Sequence, residues 1–376
     1  MGAEIVIAAL KRAYANFRGF DIDGSTVPPM DGPLRPNAAL DAAKQVLTFA
    51  DIDNLVADQS GVYGSVGNEL FALRKQGDAG YEAIAIRKVD APISALASDR
   101  AGALAIGLDG SGVMIQGGHH DGRVVEGPAD DRFFSVTALC FVSPDTLLIA
   151  NGSRQYRAAD WKRDLMAKGA TGSVWKVDLK KDAGSATKLA ENLRFPSGIG
   201  VASERVFISE AWGHCVRSVG LGGGETGMAL PGLPVYPGRM IRAGDGGFWL
   251  AMFAPRNALV EFVLKEDAYR RRMTETIDPE YWIAPSLFAG RSFLEPIQGG
   301  TRKKLNMLKP WAPMWSGGLV AKCDESMRPQ ASFHSRADGN VHGVTSLCES
   351  EGNLLVGAKG SGLVVALPLE GEGARA

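Results

Sequence analysis

One acid, one arginine and one histidine stand near the starts of similar apolar stretches in this chain: Asp53 in DNLVAD, Arg239 in PGRM and His342 in VHGVT. Hydroxyl residues Ser94, Thr137, Ser197 and Thr345 hold matching places in other stretches. A guanidinium stabilises a developing oxyanion, and a carboxylate can hold it in place. An imidazole titrates near neutrality and can activate water. Together these are the parts of a hydrolytic site, with Arg239, His342 and Asp53 as its catalytic groups. Each side chain also has a plainer use, because a buried polar group must be paired wherever it lies.

Other candidate chemistry is weaker. His119 and His120, in MIQGGHHDGR, sit in a Gly-rich turn, as does His214 in EAWGHCVR. Glu210 reads as structural. GSVGNE and GLDGSG do not lead from a strand into a helix, so they are not phosphate loops. No Gly-x-Ser-x-Gly elbow is present, so an α/β-hydrolase triad has no support. The four cysteines, Cys140, Cys215, Cys323 and Cys348, lack zinc spacing and read as buried reduced thiols. A net charge of −1 excludes the basic stripe of a nucleic-acid surface.

The elements that must position these residues come from a repeat. Six stretches begin at Asp51, Pro92, Ser135, Pro196, Pro237 and Val341, each a short apolar strand, a turn, a second strand ending in small residues, and a third strand. Their starts lie 41, 43, 61, 41 and 104 residues apart. A unit of about 41 residues suits a four-stranded propeller blade. The pattern therefore predicts an all-β, six-bladed β-propeller with helical and aromatic cap insertions. A β-sandwich with a separate helical domain competes, but leaves the six units unexplained. The expected organisation is an N-terminal arm with a short helix at 1–45, a propeller at 46–368 and a tail at 369–376. Insertions are expected at 154–172 and 265–340, the second carrying Tyr281, Trp282, Trp311 and Trp315 as apolar walls of a capped pocket. The apolar run Ile5 to Leu10 is too short to span a bilayer and reads as a short amphipathic helix docked on the body or lightly, as a weak contact, on a membrane surface; a cytoplasmic location is the default expectation. Oligomeric state is left open.

The stretches LRFPSGIG, ISEAW, LPGLPVYPGRMI, GGFWLAM and WSGGLVAK, in this order, resemble the strictosidine synthase-like family over residues 45–368. The resemblance implies a six-bladed propeller within a wider group that includes calcium-dependent lactone hydrolases. Those hold the ion with an acid and several Asn or Asp side chains at the channel entrance, as a hard cation requires. This chain keeps an acid at Asp53 but places Thr137, Ser197, Gly238 and Arg239 at the other ligand positions. A guanidinium cannot ligate a metal. Calcium is possible on family grounds, yet the expectation is no metal and no cofactor, with Arg239 in the ion's place and paired to Asp53. The glutamate that strictosidine synthase uses falls on Thr345, which cannot shuttle protons at neutral pH, and Glu349 lies at the far end of the strand.

The expected function is a metal-independent hydrolase of a small ester or lactone. Thr137, Asn151, Ser197, Thr345 and the four cap aromatics would contact the substrate. A propeller that binds a small molecule or protein without chemistry, and a condensing enzyme that forms C–N bonds, are the alternatives.

Overall fold

The computed structural model describes residues 27–77, 80–181, 186–224, 226–289, 295, 303–304, 307–308 and 316–369. Six four-stranded antiparallel sheets surround a central axis, making a six-bladed β-propeller. Blade one runs Asp53–Asp58, Gly61–Val66, Glu69–Lys75 and Tyr81–Lys88, and blade two begins at Ile93–Ser98 and Leu104–Leu108. Blades three and four begin at Val136–Ser143 and Pro196–Ala202. Blade five uses Val235–Arg242, Phe248–Pro255, Gly318–Cys323 and Pro329–Ser335. Blade six uses Val344–Ser350, Asn353–Ala358, Leu363–Pro368 and, from the other end of the chain, Lys44–Thr48. Lys44 pairs with Ala366 and Thr48 with Leu363, so the ring is closed by hydrogen bonds between sequence-distant strands.

The core lies between neighbouring blades rather than inside one. Ala95, Ala105 and Ile115 of blade two pack against Val136, Leu139 and Ile149 of blade three. Inner strands are covered on both faces, which is why TLLIAN at 146–151 is a run of apolar residues rather than an alternation. Small residues let the blades close: a Cβ on Gly107 would meet Val136 Cγ1 at 2.7 Å.

Two insertions sit above the ring. One carries the helix Trp161–Met166 in blade three. The other separates the second and third strands of blade five and carries helices Ala258–Lys265 and Asp267–Thr276. Asn257 caps the first of these by accepting from Leu259 N at 2.7 Å. The insertion expected at 265–340 is thus shorter at its C-terminal end, because Gly318–Cys323 and Pro329–Ser335 are blade strands with continuous registers. The aromatic insertion hid them: their apolar pattern resumed too far from the first half of the blade to be assigned to it. Leu165, Met166, Val263, Met273 and Trp282 form one apolar cluster that joins the two insertions.

Residues 27–43 lie along the outer strand of blade five. Asn37 Nδ2 donates to Ser332 O at 2.8 Å and its Oδ1 accepts from His334 N at 2.9 Å, so this arm occupies an exposed sheet edge. The N-terminal apolar run lies outside the described residues. Among the described residues no helix is long and apolar enough to cross a membrane.

Candidate functional site

One irregularity recurs in all six blades. The pairing of the first and second strands slips between Asp53 and Val56, Ile93 and Ala95, Val136 and Ala138, Pro196 and Gly198, Pro237 and Met240, and Val344 and Ser346. A bulge bends the strand and re-aims a side chain. The residues lifted out of register include Asn54, Ser94, Thr137, Ser197, Arg239 and Thr345. This repeated slip brings Ser94, Thr137, Ser197, Arg239 and Thr345 to one end of the axis, while Asn54 is buried between blades one and two.

Most of them hand one blade on to the next. Asn54 Nδ2 donates to Ile93 O of blade two (3.2 Å). Thr137 Oγ1 donates to Pro196 O of blade four (2.5 Å), and Ser197 Oγ to Pro237 O of blade five (2.8 Å). Arg239 Nη1 donates to Thr345 O of blade six (2.9 Å), and Thr345 Oγ1 donates to Asp53 Oδ1 of blade one (2.7 Å). Ser94 Oγ instead bonds Gly107 O within its own blade (3.3 Å). The step from blade two to blade three is bridged higher up, where the Asp109 carboxylate accepts from Ala158 N (2.8 Å) and Ala159 N (3.1 Å) of the blade-three insertion. In Thr137→Val, the loss of one such staple with Pro196 O left buried is expected to cost about 1–3 kcal/mol, read from the denaturant midpoint. A cost below a few tenths would mean that the bond contributes nothing.

Arg239 is the hub. Its Nη1 also lies 2.9 Å from Asp53 Oδ1, and its Nη2 donates to Ser94 O at 2.7 Å. One guanidinium from blade five therefore joins blades one, two and six. Lys359 Nζ approaches the other Asp53 oxygen at 3.2 Å. Burial by itself would raise the Asp53 carboxyl. The charges of Arg239 and Lys359, with bonds from Thr345 and Asn54, outweigh it and hold the pKa well below the usual carboxylate range.

A cavity of about 340 Å³ opens above this cluster. Asp53, Arg239, Lys359, Ser94, Thr137, Ser197 and Thr345 contribute to its lining, as do Trp161, Phe195, Trp212 and Phe253. The Phe195 and Trp212 rings stack at 4.7 Å, and Trp161 meets Phe253 edge-on at 5.7 Å. Trp212 Nε1 donates to Asp164 Oδ1 at 2.8 Å, so that donor is spent on the buried carboxylate. Asp109 also lines the cavity, and burial raises its carboxyl pKa against the opposing backbone bonds and the Arg157 charge.

Several expected residues lie elsewhere. His342 is 2 % exposed and does not line the cavity. Its Nδ1 is 2.6 Å from Ser316 Oγ, and burial lowers its pKa. A base must reach the attacking water, so His342 is not placed for that role. Asn151 is fully buried and its Oδ1 accepts from Ser135 N at 2.7 Å, a loop tie rather than a substrate contact. Trp282 is buried among the two insertions, with Nε1 donating to Ile277 O at 2.8 Å, and neither it nor Tyr281 lines the cavity. The aromatic wall comes instead from Trp161, Phe195, Trp212 and Phe253. Trp311 and Trp315 lie outside the described residues. Glu349 accepts from Trp249 Nε1 (2.6 Å) and Gly244 N (2.9 Å), and Glu210 accepts from Arg194 N (2.6 Å); both are structural.

Lys359 and Asp109 were missed, yet the repeat contained a signal. AKGSG at 358–362 and LDGSG at 108–112 are equivalent turns after the second strands of blades six and two. Aligning turns as well as first strands would have put both charges at the rim.

The donor set does not suit a hard dication. Asp53 already carries two cations, and Arg239 occupies the oxygens of Ser94 and Thr345 that could otherwise have faced an ion. Among the described residues no group of three His, Cys, Asp or Glu side chains is arranged for a metal.

No family model matches this chain. It is weakly similar to two curated adipocyte plasma membrane-associated proteins. That of Salmo salar is 25% identical over 217 residues, covering 55% of this chain and 45% of that protein. That of Danio rerio is 30% identical over 111 residues, covering 28% of this chain and 26% of that protein. The matches thus span less than half the length of these relatives. Among solved structures, a gluconolactonase from Xanthomonas campestris superposes with a TM-score of 0.52 at 13% identity, covering 92% of this chain and 97% of that one. A regucalcin from Agrobacterium tumefaciens gives 0.49 at 12% identity, covering 86% and 92%. At 13% identity the likeness to the gluconolactonase shows the fold alone.

Proposed function

We propose that the cavity is the active site of a metal-independent hydrolase acting on a small ester or lactone. The observation that carries this reading is the placement of two cations, Lys359 and Arg239, on one carboxylate at the floor of an aromatic-walled cavity. Asp53 fixes both positive groups. The ammonium has three donors and one goes to Asp53, so Lys359 can polarise a carbonyl and stabilise the oxyanion that forms when water attacks. Arg239 supports it electrostatically while its own hydrogen bonds hold the ring. Asp53 is too weak a base to take a proton. Asp109, whose proton affinity is raised by burial, is the cavity carboxylate suited to accept the proton of the attacking water. The fold shared with a gluconolactonase agrees with this class of reaction.

The test is hydrolysis of a panel of lactones and p-nitrophenyl esters by protein purified without added metal, with and without chelator. Turnover that survives chelation is expected. Turnover that needs calcium, or calcium bound stoichiometrically in a calorimetric titration, would overturn the metal-independent reading.

The pH dependence has a defined sign. Asp109 must be ionised to act, so kcat/KM falls as pH drops through its raised pKa, above the ordinary carboxylate value of about 4. Asp53 stays ionised throughout that window and contributes no limb. Asp109→Asn is expected to abolish the acid limb along with most of the rate. An unchanged limb in that variant would remove Asp109 from the scheme.

One observation favours a second reading, a non-catalytic binding propeller: Thr137, Ser197 and Thr345 all donate their hydroxyl protons to neighbouring blades. Ligand binding without turnover of any panel member would select it.

A further inference from the structure

Leu287 lines the cavity although it belongs to the blade-five insertion. The segment that carries it, residues 284–289, reaches across to blade six. There its backbone meets two glycines. A Cβ on Gly360 would lie 2.1 Å from Leu287 O, and one on Gly343 2.6 Å from the same atom. Only residues without a side chain allow this approach. Two further ties flank the seat. Ser316 Oγ accepts from Ala289 N at 2.8 Å and lies 2.6 Å from His342 Nδ1. The Phe288 ring rests against the His342 imidazole with centroids 5.2 Å apart. His342 is itself fixed to blade six, its backbone N donating to Ser361 Oγ at 2.8 Å. The Ser316 hydroxyl, which accepts from Ala289 N, still has a proton to give to Nδ1 and a second lone pair, so this contact ties the strap to the imidazole in either tautomer.

We propose that residues 284–289 form a strap seated on blade six and pinned by His342, and that Leu287 on this strap sets how long a ligand the cavity admits. His342 acts here as a positioning residue, which accounts for a buried imidazole near a cavity it does not enter. The size claim rests on the cavity being the ligand site proposed above. It does not rest on hydrolysis, which can fail independently.

Hydrogen exchange followed by mass spectrometry on the full chain tests the strap. Gly360 is not in the left-handed region, and a Cβ added there would meet Leu287 O at 2.1 Å and His342 O at 2.8 Å, atoms of the strap and of the residue that pins it. In Gly360→Ala and His342→Ala, peptides covering 284–289 are expected to exchange at least about tenfold faster, while strands 344–350 and 353–358 keep wild-type protection. His342→Asn, whose amide oxygen can accept in place of Nδ1, should restore most of the protection. Free exchange of 284–289 in the wild type overturns the strap. So do unchanged rates in the variants, or a loss of protection spread over all of blade six.

The size claim is read from tryptophan fluorescence, since Trp161 and Trp212 line the cavity. Linear carboxylates from acetate to octanoate serve as probes. Leu287→Ala should raise the affinity for octanoate relative to acetate by about tenfold. An unchanged ratio, or no binding to either protein, overturns the claim.

Discussion

Arg239→Ala should be the most destabilising single substitution at the axis, lowering the free energy of unfolding by about 3–5 kcal/mol. The change leaves the Asp53 carboxylate with Lys359 alone among its cations and leaves two carbonyls, Ser94 O and Thr345 O, without their guanidinium donor. The cost of a buried charge that loses its partner exceeds what the pair contributes over an apolar substitute. The double variant Asp53→Asn, Arg239→Met should therefore lose less than the two single changes summed, because neither charge is then stranded. Denaturant titration of the four proteins measures this. Arg239→Ala within about 1 kcal/mol of wild type, a value typical of exposed pairs, would mean that the guanidinium does not join the blades.

Lys359→Met should show the opposite division. Its side chain is 38% exposed and its ion pair with Asp53 is at the cavity floor, so the expected stability change is under about 1 kcal/mol. The rate should respond instead: loss of one oxyanion donor is expected to lower kcat/KM by about 10²–10³-fold, mainly through kcat. Steady-state kinetics on whichever ester or lactone the panel identifies would check it. A rate within a factor of three of wild type would remove Lys359 from the reaction and leave Arg239 as the cavity's electrophile. The contrast between two cations on one carboxylate, one reporting on stability and the other on rate, separates holding the ring from doing chemistry.

The fold was legible because a blade is a local object. Strand, turn and strand recur within about 41 residues, so short windows of sequence carry the architecture. The position of Arg239 beside Asp53 was legible for a related reason, since equivalent positions in successive blades converge on the axis. What sequence could not supply was the closing geometry above the ring. His342 sits at the start of its blade as a channel residue would, but a strap from another blade covers it. Tyr281 and Trp282 belong to an aromatic insertion, yet Trp282 serves as core between two insertions. The wall of the cavity comes from Trp161, Phe195, Trp212 and Phe253, drawn from three blades, and no periodicity relates them. The second half of blade five was lost inside the insertion for the same reason: a long excursion breaks the local pattern that made the other blades visible.

The ring is closed by pairing Lys44–Thr48 with Leu363–Pro368, and the same blade supplies Thr345 and Lys359 to Asp53. During synthesis the segment around Lys44 emerges early and must wait for more than three hundred residues before its partner strand exists. Asp53 waits with it: Arg239 arrives with blade five, but Thr345 and Lys359 come only with blade six. The cavity floor therefore assembles only after the last blade has left the ribosome, and a chain that stalls or is cut before blade six carries five sheets and an incomplete site. Closure of the ring and assembly of the Asp53 cluster are, in this architecture, one event.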